Sequence, residues 1–291
     1  MTTEARGTGE GTGGPDAPAG VSAAEADALV ALVRRVGQQI ILPRFRRLAP
    51  GEIETKSDPS DLVTIADREA EAALAAGARD ILPGCAVVGE EAVAEDPTLL
   101  GTIAGSETCV ILDPVDGTFN FARGLAVFGV ILAVTRQGQT VFGLLYDPVL
   151  DDWVMAHRGG GAEHVAATGT RRRLSVRRGV EIPQAEGMVP LDLYGGARRT
   201  RLMGAFEAVR SVRSLRCSCH EYRMLAMGQA DFVVNGSLNP WDHAAGVLVL
   251  EEAGGCVLVD GTSSYRPTMR TGRLTAATGK ELTATLAAVE W

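Results

Sequence analysis

Paired or regularly spaced cysteines are missing from this chain. Its five, Cys85, Cys109, Cys217, Cys219 and Cys256, are odd in number and contain no CxxC, which argues against a disulfide framework and against a zinc-ribbon repeat. A reduced, cytoplasmic protein is the simplest expectation. Cys217-Ser218-Cys219 leaves redox or metal chemistry open, although small residues alternating with a serine beside a helix favour packing. Basic clusters are also scarce. The tightest is Arg171-Arg172-Arg173, in a chain of net charge −8, and binding a nucleic-acid backbone relies on clustered Lys and Arg. No nucleic-acid partner is expected, and the trio reads as a solvated face. No apolar run approaches the roughly 18 residues that cross a bilayer, and no basic-then-apolar leader opens the chain, so no membrane partner is expected either. Internal repeats are not evident. Gly159-Gly160-Gly161 lacks the following Lys-Ser/Thr of a phosphate-binding P-loop and reads as a turn.

What is present suits a large core: 46% of the 291 residues are hydrophobic and 22% charged, enough for one big domain or two intimate halves. Residues 1–21 are rich in Gly, Thr, Ala and Pro without apolar periodicity and are expected to be a disordered tail. The domain, 22–291, begins where Ser22-Ala23-Ala24-Glu25 forms a capping box ahead of Leu29, Leu32, Val33, Val36 and Ile40 at helical spacing. A second helix is predicted over about 64–81, with Asp67, Glu69 and Glu71 at its positive end. The period then changes. Short β-branched runs at 86–88, 109–112, 128–134, 141–146 and 153–156 read as successive strands. Helices at 220–227 and 243–253 follow, mixed with strands at 232–234 and 256–259, so layered α and β structure is predicted.

Four separated segments carry chemistry. Lys56 and Asp67 flank Asp61-Leu62-Val63-Thr64, so a loop delivers a carboxylate onto the first turn of a helix. Glu90 and Glu91 stand where the apolar 86–88 strand emerges; they are either an exposed loop pair or two acids whose repulsion something neutralises. Asp113-Pro114-Val115-Asp116-Gly117-Thr118 ends another apolar strand, with Pro114 fixing the backbone and Gly117 permitting a tight turn. Hard divalent ions take oxygen ligands, so Asp113, Asp116, Glu90 and the Val115 carbonyl form a plausible shell for Mg²⁺. Gly117 and Thr118 offer N–H groups and a hydroxyl to phosphate if a helix starts there. Last, Trp241-Asp242-His243-Ala244-Ala245-Gly246 opens an apolar helix. Asp242 is either its cap or a further carboxylate of the same site, and His243, alone among oxygen ligands, reads as packing or as a group supporting the ligands from behind.

Together these motifs resemble the inositol monophosphatase family, within the lithium-sensitive, metal-dependent sugar phosphatases. They are Asp61-Leu62-Val63-Thr64 with Asp67, Gly89-Glu90-Glu91, Asp113 to Thr118 with Asn120-Phe121, and Trp241-Asp242 with Ala244-Ala245-Gly246, in order over roughly 22–290. The resemblance implies an αβαβα sandwich of the type shared with fructose-1,6-bisphosphatase. It also implies about two or three Mg²⁺ ions, a number in keeping with multi-metal phosphate chemistry, held by Glu90, Asp113, Asp116, Asp242 and the Val115 carbonyl. By the same resemblance Asp67, Thr118 and Glu90 are catalytic, Gly117 and Thr118 contact phosphate, and Asp116, Ser218, Asn235 and Arg216 face the substrate. A homodimer and lithium inhibition are implied as well. The substrate expected is a small phosphorylated metabolite, inositol monophosphate first and histidinol phosphate second. Asn235 stands where inositol-hydrolysing relatives carry an acid, and Arg216 where many have a small residue. Phe119-Asn120 disfavours nucleotide substrates. A non-catalytic scaffold is disfavoured because all the metal and water-activating residues are present.

Overall fold

The computed structural model describes residues 20–49, 51–56 and 62–291. The expected tail through residue 19, and Asp61, lie outside the described residues. Val21, placed in the tail by composition, is buried against the first helix. That helix, α1, runs Ala23–Val36 behind the Ser22/Glu25 capping box and continues as a π turn over Gly37–Ile41 that takes in Ile40. The others are α2 Ile65–Ile81, α3 Glu90–Glu95, α4 Thr102–Gly105, α5 Thr118–Ala122, α6 Gly196–Ala205, α7 Ser218–Ala226, α8 Pro240–Glu252 and α9 Lys280–Ala287.

A short hairpin, β1 Ile53–Thr55 and β2 Leu62–Thr64, precedes the main sheet. That sheet holds seven strands in sequence order: β3 Ala86–Gly89, β4 Thr108–Asp116, β5 Gly129–Arg136, β6 Gln139–Asp147, β7 Asp152–His157, β8 Gly161–Val165 and β9 Arg171–Arg173. Only the β3–β4 pair is parallel. The three arginines of β9 are exposed, as their sequence predicts. A second sheet of five strands, β10 Glu186–Met188, β11 Ser211–Arg213, β12 Phe232–Asn235, β13 Cys256–Val259 and β14 Leu274–Ala277, has the order β11-β10-β12-β14-β13.

Side-chain alternation along the strands sets the layers. One face of the main sheet, with Val110, Leu112, Val130, Leu132 and Leu144, packs on Leu29, Val33, Ala70 and Leu74 of α1 and α2. Its other face, with Ile111, Ile131 and Leu145, packs on Tyr222, Leu225 and Leu248 of α7 and α8. The same core takes in Val233, Val257 and Ala276 of the second sheet, whose far side, Phe232, Val234 and Ala277, meets Leu202 of α6 and Leu282 and Leu286 of α9. The five layers are an αβαβα sandwich. Buried on both faces, β4 needs an apolar run rather than an alternating one, and all nine of its residues are buried.

Helix α8 lies close on β6 because Gly143 has no side chain: a Cβ there would meet the Ala245 carbonyl oxygen at 2.8 Å and its Cα at 3.0 Å. Backbone cannot step aside as a flexible side chain can. Gly143→Ala should therefore destabilise the protein by about 1–3 kcal/mol, the usual cost of overpacking, and an unchanged urea-denaturation midpoint would show that α8 does not depend on this contact.

Candidate active site

The site is built where β4 breaks its own pattern. Asp113 and Asp116 are three residues apart, and in a regular strand such residues point to opposite faces. The ladder to β5 pairs Asp113 with Ile131 but Asp116 with Gly129, so β4 carries one extra residue across Pro114-Val115. A bulge of this kind re-aims side chains at a strand end, and proline, which has no N–H for the ladder, is tolerated at it. Both carboxylates therefore turn to one side, where Asp242 joins them: oxygens of Asp113, Asp116 and Asp242 all lie within 4.8 Å of one another. The motif predicted to follow the strand is thus its last, bulged turn. Gly117 then takes a left-handed φ of +90°, a region open to glycine, and α5 begins at Thr118.

Each acid is held by a different element. Asp116 Oδ2 receives the Cys219 N–H at 2.5 Å and the Cys217 Sγ–H at 3.2 Å, so it satisfies the open N-terminus of α7 in place of a cap from α7 itself. The Cys217-Ser218-Cys219 stretch is packing, as its composition suggests, and it also fixes a site carboxylate. Asp242 is not the cap of α8. Asn239 holds that position, Asp242 lies in the first turn, and Asn239 Nδ2 donates to Asp242 Oδ2 at 3.1 Å. His243 is buried between Tyr222 Oη and the Ser237 carbonyl and has no part in the cluster. Glu90 opens α3, and Lys56 Nζ bridges its carboxylate, at 2.8 Å, to that of Glu91, at 2.6 Å. The glutamate pair is neutralised rather than exposed.

Three acids this close resist ionisation. Burial first, then the charges of Glu90, Asp116 and Asp242, pushes the Asp113 carboxyl well up from its ordinary range. Burial likewise raises Asp116 to about 6, against the hydrogen bonds from Cys219, Cys217 and Ser218. Asp242 is raised by burial and by Asp116 and Glu90. Burial works against the Lys56 charge, but Glu90 and Glu91 outweigh it and hold its pKa above the ordinary value. Like-charged carboxylates converging in a buried site need a cation to ionise together. The donors are all oxygens with no thiolate or imidazole among them, and that set suits a hard divalent ion such as Mg²⁺.

Beside the cluster, Thr64 and Asp67 form the capping box of α2, with Asp67 Oδ2 accepting from Thr64 N at 2.8 Å and from Thr64 Oγ1 at 2.5 Å. Asp67 Oδ1 faces Thr118 Oγ1 at 3.0 Å, and that hydroxyl also lies 2.9 Å from the Val115 carbonyl. Burial raises Asp67 to about 6, against the hydrogen bond from Thr64. A cavity of about 220 Å³ brings together Glu90, Asp113, Asp116, Gly117, Thr118, Ser218, Arg216, Asn235 and Asp242. Of the residues expected at the site, Asp67 and Val115 lie behind this lining, joined to it through Thr118. The remaining wall includes Phe119 and three residues that motif reading passed over: Asp192, Ser214 and Glu221. Asp192 and Ser214 precede and follow weak elements with no periodic signal, and Glu221 sits inside a helix where an acid reads as solvated.

A family model described as the inositol monophosphatase family matches residues 23–291. The chain belongs to that family. It is 30% identical over 232 residues to the fructose-1,6-bisphosphatase/inositol-1-monophosphatase of Thermotoga maritima, covering 79% of this chain and 83% of the relative. It is 34% identical over 205 residues to the inositol-1-monophosphatase of Mesorhizobium japonicum, covering 68% and 72%. The solved structure of a Thermotoga maritima IMPase superposes with a TM-score of 0.75 at 25% identity, covering 91% of this chain and 96% of that one. As an inositol monophosphatase family member the protein is a phosphoric monoester hydrolase that acts on small phosphorylated substrates. The family's metal dependence and the acidic cluster agree. No helix among the described residues is long and apolar enough to cross a membrane.

Because the cluster must lose protons to bind a cation, added Mg²⁺ should raise the unfolding temperature more at about pH 7 than at about pH 5. The sign follows from the direction of the shifts. Raised folded-state pKa values stabilise the metal-free protein below about 4 and lose that contribution as pH passes about 6. Equal shifts at both pH values in thermal denaturation would contradict it.

Proposed function

We propose that this inositol monophosphatase family member hydrolyses a small phosphate monoester with Mg²⁺, inositol monophosphate being its preferred substrate. The observation that carries the reading is the convergence of Asp113, Asp116 and Asp242 within 4.8 Å, beside the Thr118–Asp67 pair, on one cavity. About two or three ions are expected, as in multi-metal phosphate chemistry, with Glu90, Asp113, Asp116, Asp242 and the Val115 carbonyl as ligands. Bound there, Mg²⁺ supplies Lewis-acid chemistry, acidifying water and offsetting charge on the phosphoryl oxygens.

The chain's own groups do the rest. Thr118 Oγ1 and Asp67 hold the attacking water and accept its proton, with Asp67 as the terminal acceptor, buried and therefore basic enough for the task near neutral pH. Glu90, kept in place by Lys56, supports the same water. The N–H groups of Gly117 and Thr118 bind phosphate oxygens at the start of α5. Ser218, Asn235 and Arg216, with Asp116, face the alcohol half of the ester. Placement and charge neutralisation then provide most of the rate. A homodimer and inhibition by lithium accompany this reading.

A phosphate-release assay with and without Mg²⁺, run across inositol monophosphate, histidinol phosphate, fructose bisphosphate and adenosine bisphosphate, tests it. Inositol monophosphate should turn over fastest and only with Mg²⁺. Release from none of the four would sink the enzyme reading, and preference for histidinol phosphate would replace the substrate. Asp113→Asn and Asp242→Asn should lose Mg²⁺ affinity in isothermal titration and lose turnover, with the fold kept because their repulsion is relieved. Asp67→Asn should keep Mg²⁺ affinity and lose about 10²–10⁴-fold in kcat, the range for a general base. Unchanged affinity in both Asn variants, or full activity in Asp67→Asn, would defeat these assignments.

A further inference from the structure

One carboxyl of the cavity has no part in the chemistry above. Glu221 lies on α7, is 9% exposed, and lines the cavity with Asp116, Asp242 and Asn235. It stands outside the group of three converging carboxylates. Its Oε1 accepts the Leu215 N–H at 3.1 Å, and its Oε2 has no hydrogen-bond partner among the described residues. That oxygen is not sealed in the core, so on the cavity side a ligand hydroxyl or a water can complete its hydrogen bonding.

The surroundings narrow that ligand. Arg216 Nε meets Asp192 Oδ2 at 3.0 Å, and its guanidinium lies 3.6 Å over the Phe119 ring. Ser214 Oγ donates to the other oxygen of Asp192 at 2.5 Å. This cation and this anion are paired with one another, and the serine hydroxyl adds to a polar wall on that side of the cavity. Asn235 Oδ1 already accepts the Ser237 N–H at 3.0 Å, which leaves its amide a partial substitute for an acid. Burial, countered by the Leu215 hydrogen bond and reinforced by Asp116 and Asp192, pushes Glu221 up to about 8. A hydroxyl suits this group in either protonation state, since a carboxylate accepts from one and a carboxylic acid can also donate to one.

We propose that Glu221 is a specificity-determining residue whose Oε2 hydrogen-bonds a hydroxyl on the alcohol half of the phosphate ester, so that the site selects esters carrying that hydroxyl over those lacking it. This rests on the phosphatase reading above. A site built to hydrogen-bond a hydroxyl rejects analogues that lack it, because its own buried group is left unpaired.

The test compares inositol 1-phosphate with cyclohexyl phosphate, the same ring without hydroxyls, on the full-length protein with Mg²⁺. Glu221→Leu, of similar bulk, should raise KM for inositol 1-phosphate about tenfold or more while changing kcat/KM for cyclohexyl phosphate less than about twofold. Glu221→Gln, which keeps the acceptor for Leu215 and an amide donor at Oε2, should stay within about threefold of the parent on inositol 1-phosphate. Glu221→Ala takes the place of the Leu variant if that chain does not fold. Equal losses on both substrates would mark Glu221 as structural and overturn the proposal, as would no loss on either. A parent enzyme inactive on both esters would instead overturn the phosphatase reading beneath it, which separates the two failures.

Discussion

Repulsion among buried carboxylates governs this molecule. Asp113, Asp116 and Asp242 are drawn within 4.8 Å of one another, with Glu90 on the same cavity, and each one's burial and its neighbours' charge raise its pKa. A fold has no reason of stability to assemble such a group, since removing one charge from water is costly and adding a like charge beside it costs more. The site is intelligible as a receptacle for a cation, and much of the nearby architecture holds its carboxylates in place. Lys56 neutralises Glu90 and Glu91, α7 offers its N-terminal N–H groups to Asp116, and Asn239 steadies Asp242.

Those supports come from different layers of the sandwich, which explains why the site sits where it does. The main sheet supplies Asp113 and Asp116 at the end of β4, and the central helix layer supplies Asp242 on α8 and the N-terminus of α7. The outer layer contributes Asp67 at the first turn of α2. Asp67 serves two ends at once: one oxygen closes the Thr64 capping box while the other meets Thr118. Fold stability and site geometry therefore share a side chain, and the strand-end bulge at Pro114-Val115 is the single backbone irregularity on which the meeting of Asp113 and Asp116 depends.

Much of this could be read from sequence because local signals were strong. The capping box at Ser22, the apolar run of β4 and the acids beside Gly117 are properties of adjacent residues, and the helices and strands they announce are present. Expectations drifted where tertiary context decides. Helix α7 starts at Ser218 rather than at 220 because Asp116, a hundred residues away in sequence, caps it. Strands β10, β11 and β14 and helices α6 and α9 gave no clear periodicity, being short or held by packing on the second sheet. The bulge is a matter of pairing register, which no single strand encodes by itself. Likewise the distal wall of Phe119, Asp192, Ser214, Arg216 and Glu221 assembles from four segments, so only Phe119, beside the Gly117-Thr118 motif, and Arg216, by its departure from a small residue, could be singled out beforehand.

Everything above turns on the converging carboxylates holding a cation. Crystals soaked in Mn²⁺, an oxygen-seeking ion visible by anomalous scattering, test it most directly. At least one anomalous peak should appear, ligated by Asp113, Asp116 and Asp242 together. A map with no peak between these three, in crystals where Mn²⁺ is seen elsewhere or supports turnover in solution, would contradict it.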